Sequence, residues 1–179
     1  SDTSPAVGQP AASPTSSFGR FVVDLVAAPP SDTATAGLFG GPIIVTDDGG
    51  GLAAELAAAL IEHNVEARVG SIGSSTEWAG VIYLGNLRAA DYIDHARAFN
   101  RAAFDAAQAF AVSRGAAASS SPRLFVAVDD QDGCFGRAGS DGPRTWASGL
   151  AALNRTAALE WPDVTVKTID IERAGRSLD

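Results

Sequence analysis

The sequence predicts an α/β fold in which helices flank a parallel sheet, and three observations predict it. Short runs rich in Val and Ile recur along the chain and are too apolar to alternate with polar residues, the mark of strands buried on both faces. Between them lie segments whose apolar residues recur every three or four positions, the period of a helix packed on one side. The two kinds of segment take turns from residue 42 to residue 169, as β and α units of a covered parallel sheet do.

Residues 1–17, SDTSPAVGQPAASPTSS, have almost nothing to bury, so packing cannot offset their chain entropy and a flexible linker is expected. Residues 18–30 carry Phe21-Val22-Val23-Asp24-Leu25-Val26, a leading strand that ends at Pro29-Pro30. The prolines and the small polar residues 31–39 set it apart, so it is expected to be mobile, edge-paired or engaged with another copy. Pro42-Ile43-Ile44-Val45-Thr46 is the first strand of the main sheet, broken by Asp47-Asp48-Gly49-Gly50-Gly51. Leu52, Leu56 and Leu60 then form a helical stripe filled out with alanine. Residues 65–72 read as a weaker strand and 79–84 as another. A long helix over 91–114 places Phe99, Ala103, Ala106 and Phe110 on one face. Leu124-Phe125-Val126-Ala127-Val128 is a strand, and Trp146, Leu150, Leu153 and Ala157 mark a third helix whose inner face Trp146 is expected to join. Residues 164–169 close the series.

Composition narrows the function. The chain has 179 residues, 46% of them apolar, enough for one real core. No apolar run approaches the roughly 18 to 20 residues needed to span a bilayer, and the N-terminus lacks the pattern of a signal peptide, so a soluble, cytoplasmic protein is expected. A single cysteine, Cys134, excludes an internal disulfide, and His63 and His95 stand apart from any Cys/His cluster, so no metal site is expected. Thirteen Lys plus Arg against twenty-one Asp plus Glu, a net charge of −8, argue against nucleic acid and anionic membranes as partners. The absence of any methionine suggests a fragment of something longer.

The candidate sites each have a plain structural reading. A strand followed by glycines and a helix start is the geometry that binds pyrophosphate, but Gly49, Gly51 and Glu55 satisfy only part of G-x-G-x-x-G. Asp47 and Asp48 stand where phosphate would bring like charge, and their expected role is to cap the orphan N–H groups of the following helix. The same acid pair with Lys167 on the last strand suggests a receiver-like phospho-switch, but the third strand ends in Tyr83-Leu84-Gly85-Asn86 rather than in the required Asp. Asp129-Asp130-Gln131-Asp132-Gly133 resembles the start of a calcium loop, yet Cys134 stands at a ligand position and no Glu closes it, so a solvated turn with Cys134 as a small filler is expected. His63 is placed to meet a helix C-terminus and His95 to open a helix in solvent. Asn154-Arg155-Thr156 matches a glycosylation sequon within a helix and reads as chance.

The order of strands and motifs resembles the short-chain dehydrogenase/reductase fold. The stretch TWASGLAALNRTAALEWPDVTVKTIDIE resembles the end of the structural subdomain in ketoreductase regions of type I polyketide synthases and polyunsaturated fatty acid synthases. The residues that carry the likeness are Trp146, Gly149, Leu150, Arg155, Ala158-Leu159-Glu160-Trp161-Pro162 and Ile169-Asp170-Ile171, and it extends over 18–172. The resemblance implies a truncated Rossmann-like sheet over 31–175, with 176–179 starting a connection to a catalytic half. That half would bind NADPH and carry Ser, Tyr and Lys, and the linker would adjoin a carrier domain.

Overlaying an active reductase pattern shows which half this is. The Thr-Gly-x-x-x-Gly-x-Gly turn falls on residues 46–53, with Asp47 and Ala53 in place of its first and last glycines. The Tyr-x-x-x-Lys pair falls on Trp146 and Leu150, and the Ser near Asp129. Trp offers no phenolic proton and Leu no charge. Tyr83 and Tyr92 are followed four residues on by Leu87 and Ala96, and Lys167 is the only lysine. The expectation is therefore a chain with no catalytic residue and no cofactor, whose degenerate loop is Asp47, Asp48, Gly49, Gly50 and Gly51. The alternatives are a divergent reductase with a site of its own and, behind it, the receiver-like switch.

Overall fold

The computed structural model describes residues 24, 26, 27, 38, 40–72, 78–88, 92–116, 122–137 and 143–173. Five strands, β1 (Ile43–Val45), β2 (Ala67–Val69), β3 (Gly80–Tyr83), β4 (Arg123–Asp129) and β5 (Val164–Asp170), alternate with three helices, α1 (Leu52–Glu62), α2 (Ile93–Ala116) and α3 (Gly149–Glu160). The strands form one sheet in the order β2-β1-β3-β4-β5, and every pair is parallel. This is the α/β, Rossmann-like arrangement of a parallel sheet flanked by helices.

The double coverage explains the apolar runs. Along β4, Leu124, Val126 and Val128 join the core with α1, while Phe125 and Ala127 join the core with α2 and α3. β1 and β3 divide in the same way: Ile43, Val45 and Ile82 face α1, whereas Ile44, Val81 and Tyr83 face the other helices. A strand with no wet face has no polar period to display. The edge strands differ, with Val69 and Ile169 exposed. On the α2/α3 side, Phe110, Phe125 and Trp161 form an aromatic triangle with ring centroids 5.5–5.7 Å apart. Buried Arg123 at the start of β4 donates to the Trp78 carbonyl at 2.6 and 3.0 Å and to Ser113 Oγ at 3.2 Å, tying the entry of β3 to the end of α2.

Two expectations need correction and others fall outside the description. Trp146 is not on the inner face of α3. It lies in a 3-10 turn, Pro143–Ala147, before that helix and is 44% exposed. The helical spacing ran through a turn whose own period of three mimicked it. Leu150, Leu153 and Ala157 do pack on the sheet as the spacing predicts, and Asn154 is buried between them. Its Nδ2 donates to the Lys167 carbonyl at 2.9 Å and to Thr168 Oγ1 at 3.0 Å, so in the folded chain the asparagine of the sequon is sealed inside while Arg155 and Thr156 are exposed. Of the leading strand 18–30, only Asp24, Val26 and Ala27 are described; all three are exposed and none is in a strand. The rest of it, the linker 1–17, loop residues 31–37 and the connection 176–179 lie outside the described residues.

Trp146→Ala is expected to change unfolding free energy by less than about 1 kcal/mol, because no packed cavity is opened. Leu150→Ala, 1% exposed in the wild type, is expected to cost about 2 to 5 kcal/mol. Urea denaturation of the two variants separates these outcomes.

Candidate functional site

In an open parallel sheet, ligands gather at the carboxyl ends of the strands where the order reverses, here between β1 and β3. The chain leaves β1 through Thr46, whose amide donates to the Ile82 carbonyl at 2.9 Å and whose Oγ1 accepts from the Leu84 amide at 2.8 Å. The side chain thus continues the β1–β3 ladder past the last strand residue. The glycine turn then brings the chain into α1 through Gly51, whose φ of 98° is open to glycine and strained for other residues.

Asp48 closes this turn from within. It is 2% exposed; Oδ2 accepts from the Gly50 amide at 3.1 Å and Oδ1 from the Ala53 amide in the first turn of α1 at 3.0 Å. These are the amides of a helix entrance that an anion would otherwise take. Asp47 points outward, accepting from the Gly49 amide at 3.0 Å and pairing with Arg88 at 3.1 Å. Both partners are about half exposed, so the pair orients the loops more than it stabilises them.

Beside this turn lies a groove of about 410 Å³ between the ends of β1–β3 and α2. Thr46, Asp47, Tyr83 and Arg88 line its polar side; Phe99 and Ala106 are on the α2 side. Tyr83 is 4% exposed, and burial pushes its phenol up to about 12 against the opposing pull of Arg88, so it is a neutral donor. Its hydroxyl stands 3.4 Å from the Phe99 carbonyl, and a Cβ at position 85 would collide with it, which is why glycine follows the strand.

At the other half of the edge, the turn after β4 is solvated as expected at Asp132, Gly133, Phe135 and Arg137, but its start is not. Asp129 and Gln131 are 2% and 4% exposed, and Gln131 Nε2 donates to Asp129 Oδ2 at 2.9 Å. Burial is the main cause that pushes Asp129 up to about 7. The run Val-Asp-Asp-Gln-Asp-Gly reads as solvated because nothing in it reveals that β5 ends in a carboxylate, Asp170, that would hold the turn down.

Of the overlaid reductase positions, Thr46 and Asp47 line the groove and the catalytic ones do not. Trp146, Leu150 and Asp129 are absent from its lining. Lys167 is exposed, in register with Val126 and three residues short of the end of β5, away from the acid pair after β1. Cys134 is half-buried in the β4 turn with Sγ 3.6 Å from the Gln131 carbonyl. His63 caps α1, its Nδ1 lying 2.9 Å from the Ala59 carbonyl, and His95 is exposed near the start of α2, edge-on to Tyr92. Among the described residues no group of three His, Cys, Asp or Glu is placed to hold a metal, and no helix is long and apolar enough to cross a membrane. Tyr83, Arg88 and the buried Asp129 were not legible as site residues; the turn Tyr-Leu-Gly-Asn after a strand was the one available signal. No family model and no curated protein matches the chain.

Asp48→Ala is expected to lower stability by about 1 to 2 kcal/mol, since two amides lose their acceptor. Asp47→Ala should cost no more than about 0.5 kcal/mol. Thermal and urea unfolding of both variants measure the difference.

Proposed function

We propose that this chain is the non-catalytic structural subdomain of a ketoreductase region, supporting the NADPH-dependent half of a type I polyketide or polyunsaturated fatty acid synthase. The observation that carries the reading is the internal closure of the cofactor turn. Asp48, buried and doubly bonded, already occupies the helix-entrance amides, and Asp47 adds a second negative charge at the mouth. A pyrophosphate would have to displace a buried carboxylate before meeting those amides. The strand order does not separate the readings: 2-1-3-4-5 is the flavodoxin-like order as it stands, and it is also the six-stranded dinucleotide order 3-2-1-4-5-6 with its third strand removed.

The outer helical surface fits a supporting role. Ile93, Phe104 and Val112 recur on the side of α2 turned from the sheet, and Leu159 is 86% exposed on α3. In this reading they meet the catalytic half of the same polypeptide, while residues 1–17 lead to a neighbouring carrier domain and the assembly works in the cytoplasm. NADPH belongs to the companion half.

Titration calorimetry of the isolated chain with NADPH up to about millimolar concentration is expected to be flat, because one unfavourable contact of about 4 kcal/mol moves a micromolar site to the millimolar range. A dissociation constant in the low micromolar range would revive the divergent reductase. The coding sequence beyond Asp179 gives the second test: about 200 residues with a fresh Thr-Gly-Gly turn and a Tyr-x-x-x-Lys are expected, and a stop codon there would overturn the reading.

A further inference from the structure

Asp129 and Asp170 stand opposite one another at the last register position of β4 and β5. Like charges directly opposite on neighbouring strands repel, yet both carboxylates are engaged in holding the turn between Asp130 and Gly136. Asp170 grips it twice, Oδ1 accepting from the Gln131 amide at 2.6 Å and Oδ2 from the Phe135 amide at 2.5 Å. Asp129 accepts from the Asp130 amide at 3.1 Å and from Gln131 Nε2 at 2.9 Å, and its carbonyl accepts from the Ile171 amide at 2.9 Å.

The turn needs such a clamp. Asp132, Gly133, Phe135 and Gly136 all have φ between 54° and 68°, a left-handed region that Asp and Phe enter at a cost. The charged groups around the Asp129 carboxyl are mostly of its own sign. Asp130 is on the turn, Asp170 on β5, and the backbone of Glu172 lies against Gly133. The described cations nearby are directed elsewhere: Arg137, at the end of the turn, pairs with Asp24 at 3.7 Å, and the Arg173 amide donates to Asp130 Oδ1 at 3.3 Å and its guanidinium to the Leu87 carbonyl at 3.2 Å.

We propose that Asp129 and Asp170 form a one-proton latch, which clamps the turn after β4 onto β5 while Asp129 is protonated and loosens when both carboxylates are charged. Two carboxylates sharing a site do not both ionise readily, and the one with less access to water keeps the proton. Asp129 is that one, at 2% exposure, and burial with its acidic neighbours raises it to about 7. A carboxyl raised in the folded state stabilises fully below its unfolded value of 3.8, and the contribution is lost as pH rises through about 7.

Hydrogen exchange of the Gln131 and Phe135 amides in the full chain, corrected for intrinsic rates and referred to Val126 in β4, tests the latch. Their protection is expected to fall about tenfold from about pH 5.5 to about pH 8.5 in the wild type, to stay level in Asp129→Asn, and to be low at both pH values in Asp170→Asn. Level protection in the wild type, an equal fall in Asp129→Asn, or undiminished protection in Asp170→Asn would each overturn it. The carbon-13 shift of the Asp129 carboxyl needs no variant: a midpoint near 7 supports the latch, and one below about 5 rejects it.

Discussion

A parallel sheet cannot leave a face in water, and most of this molecule follows from meeting that condition with three helices. β1, β3 and β4 deliver alternate residues to two separate cores, so the positions between the ends of each strand are apolar. Among the described helices α1 covers one side, with Ala53 and Ala57 buried against the sheet and Leu52, Leu56 and Leu60 packed beside them. α2 and α3 cover the other side, their approach set by Ala103, Ala107 and Ala157 around the aromatic triangle. The small residues determine how near the helices come; Phe110, Phe125 and Trp161 fill what remains.

The same condition bears on the groove. The connection from β2 to β3 must cross β1, and a helix there would cover the β1–β2 face. In its described part it carries none. Trp78, 3% exposed, is packed before β3 with Arg68 stacked 4.1 Å from its ring centroid, and the groove lies at the other end of the strand, beside Tyr83. Within the cleft the Tyr83 phenol is turned toward a backbone carbonyl and Arg88 toward Asp47, and Asp105 of α2 also lines it.

The sequence makes the covered strands and the helical stripes legible because burial on a period leaves its trace in residue type. β1, β3, β4 and β5 fall within a residue or two of their apolar runs, and Leu52, Leu56 and Leu60 mark α1. Polar residues with tertiary partners leave no such trace. Asn154 reads as a helix-surface residue until β5 brings the Lys167 carbonyl to it, and Asp129 reads as a solvated turn until Asp170 arrives from 41 positions away. Trp146 failed for a local reason, since a 3-10 turn before a helix extends its apparent stripe by one false position.

Both ends of β4 carry buried charge-bearing side chains, and their opposite signs match what each end presents. At the amino end Arg123 donates to a carbonyl at the entry of β3; at the carboxyl end Asp129 and, beside it, Asp170 accept from amides of the following turn. Thr46 and Asp48 do the same after β1, for Leu84, Gly50 and Ala53. An active sheet of this kind leaves the amides at its carboxyl edge free for a ligand and its side chains free for chemistry. Here the acceptors supplied by Thr46, Asp48, Asp129 and Asp170 are engaged with the chain's own amides. Those amides would have to be released from their acceptors before the same edge could hold an anion.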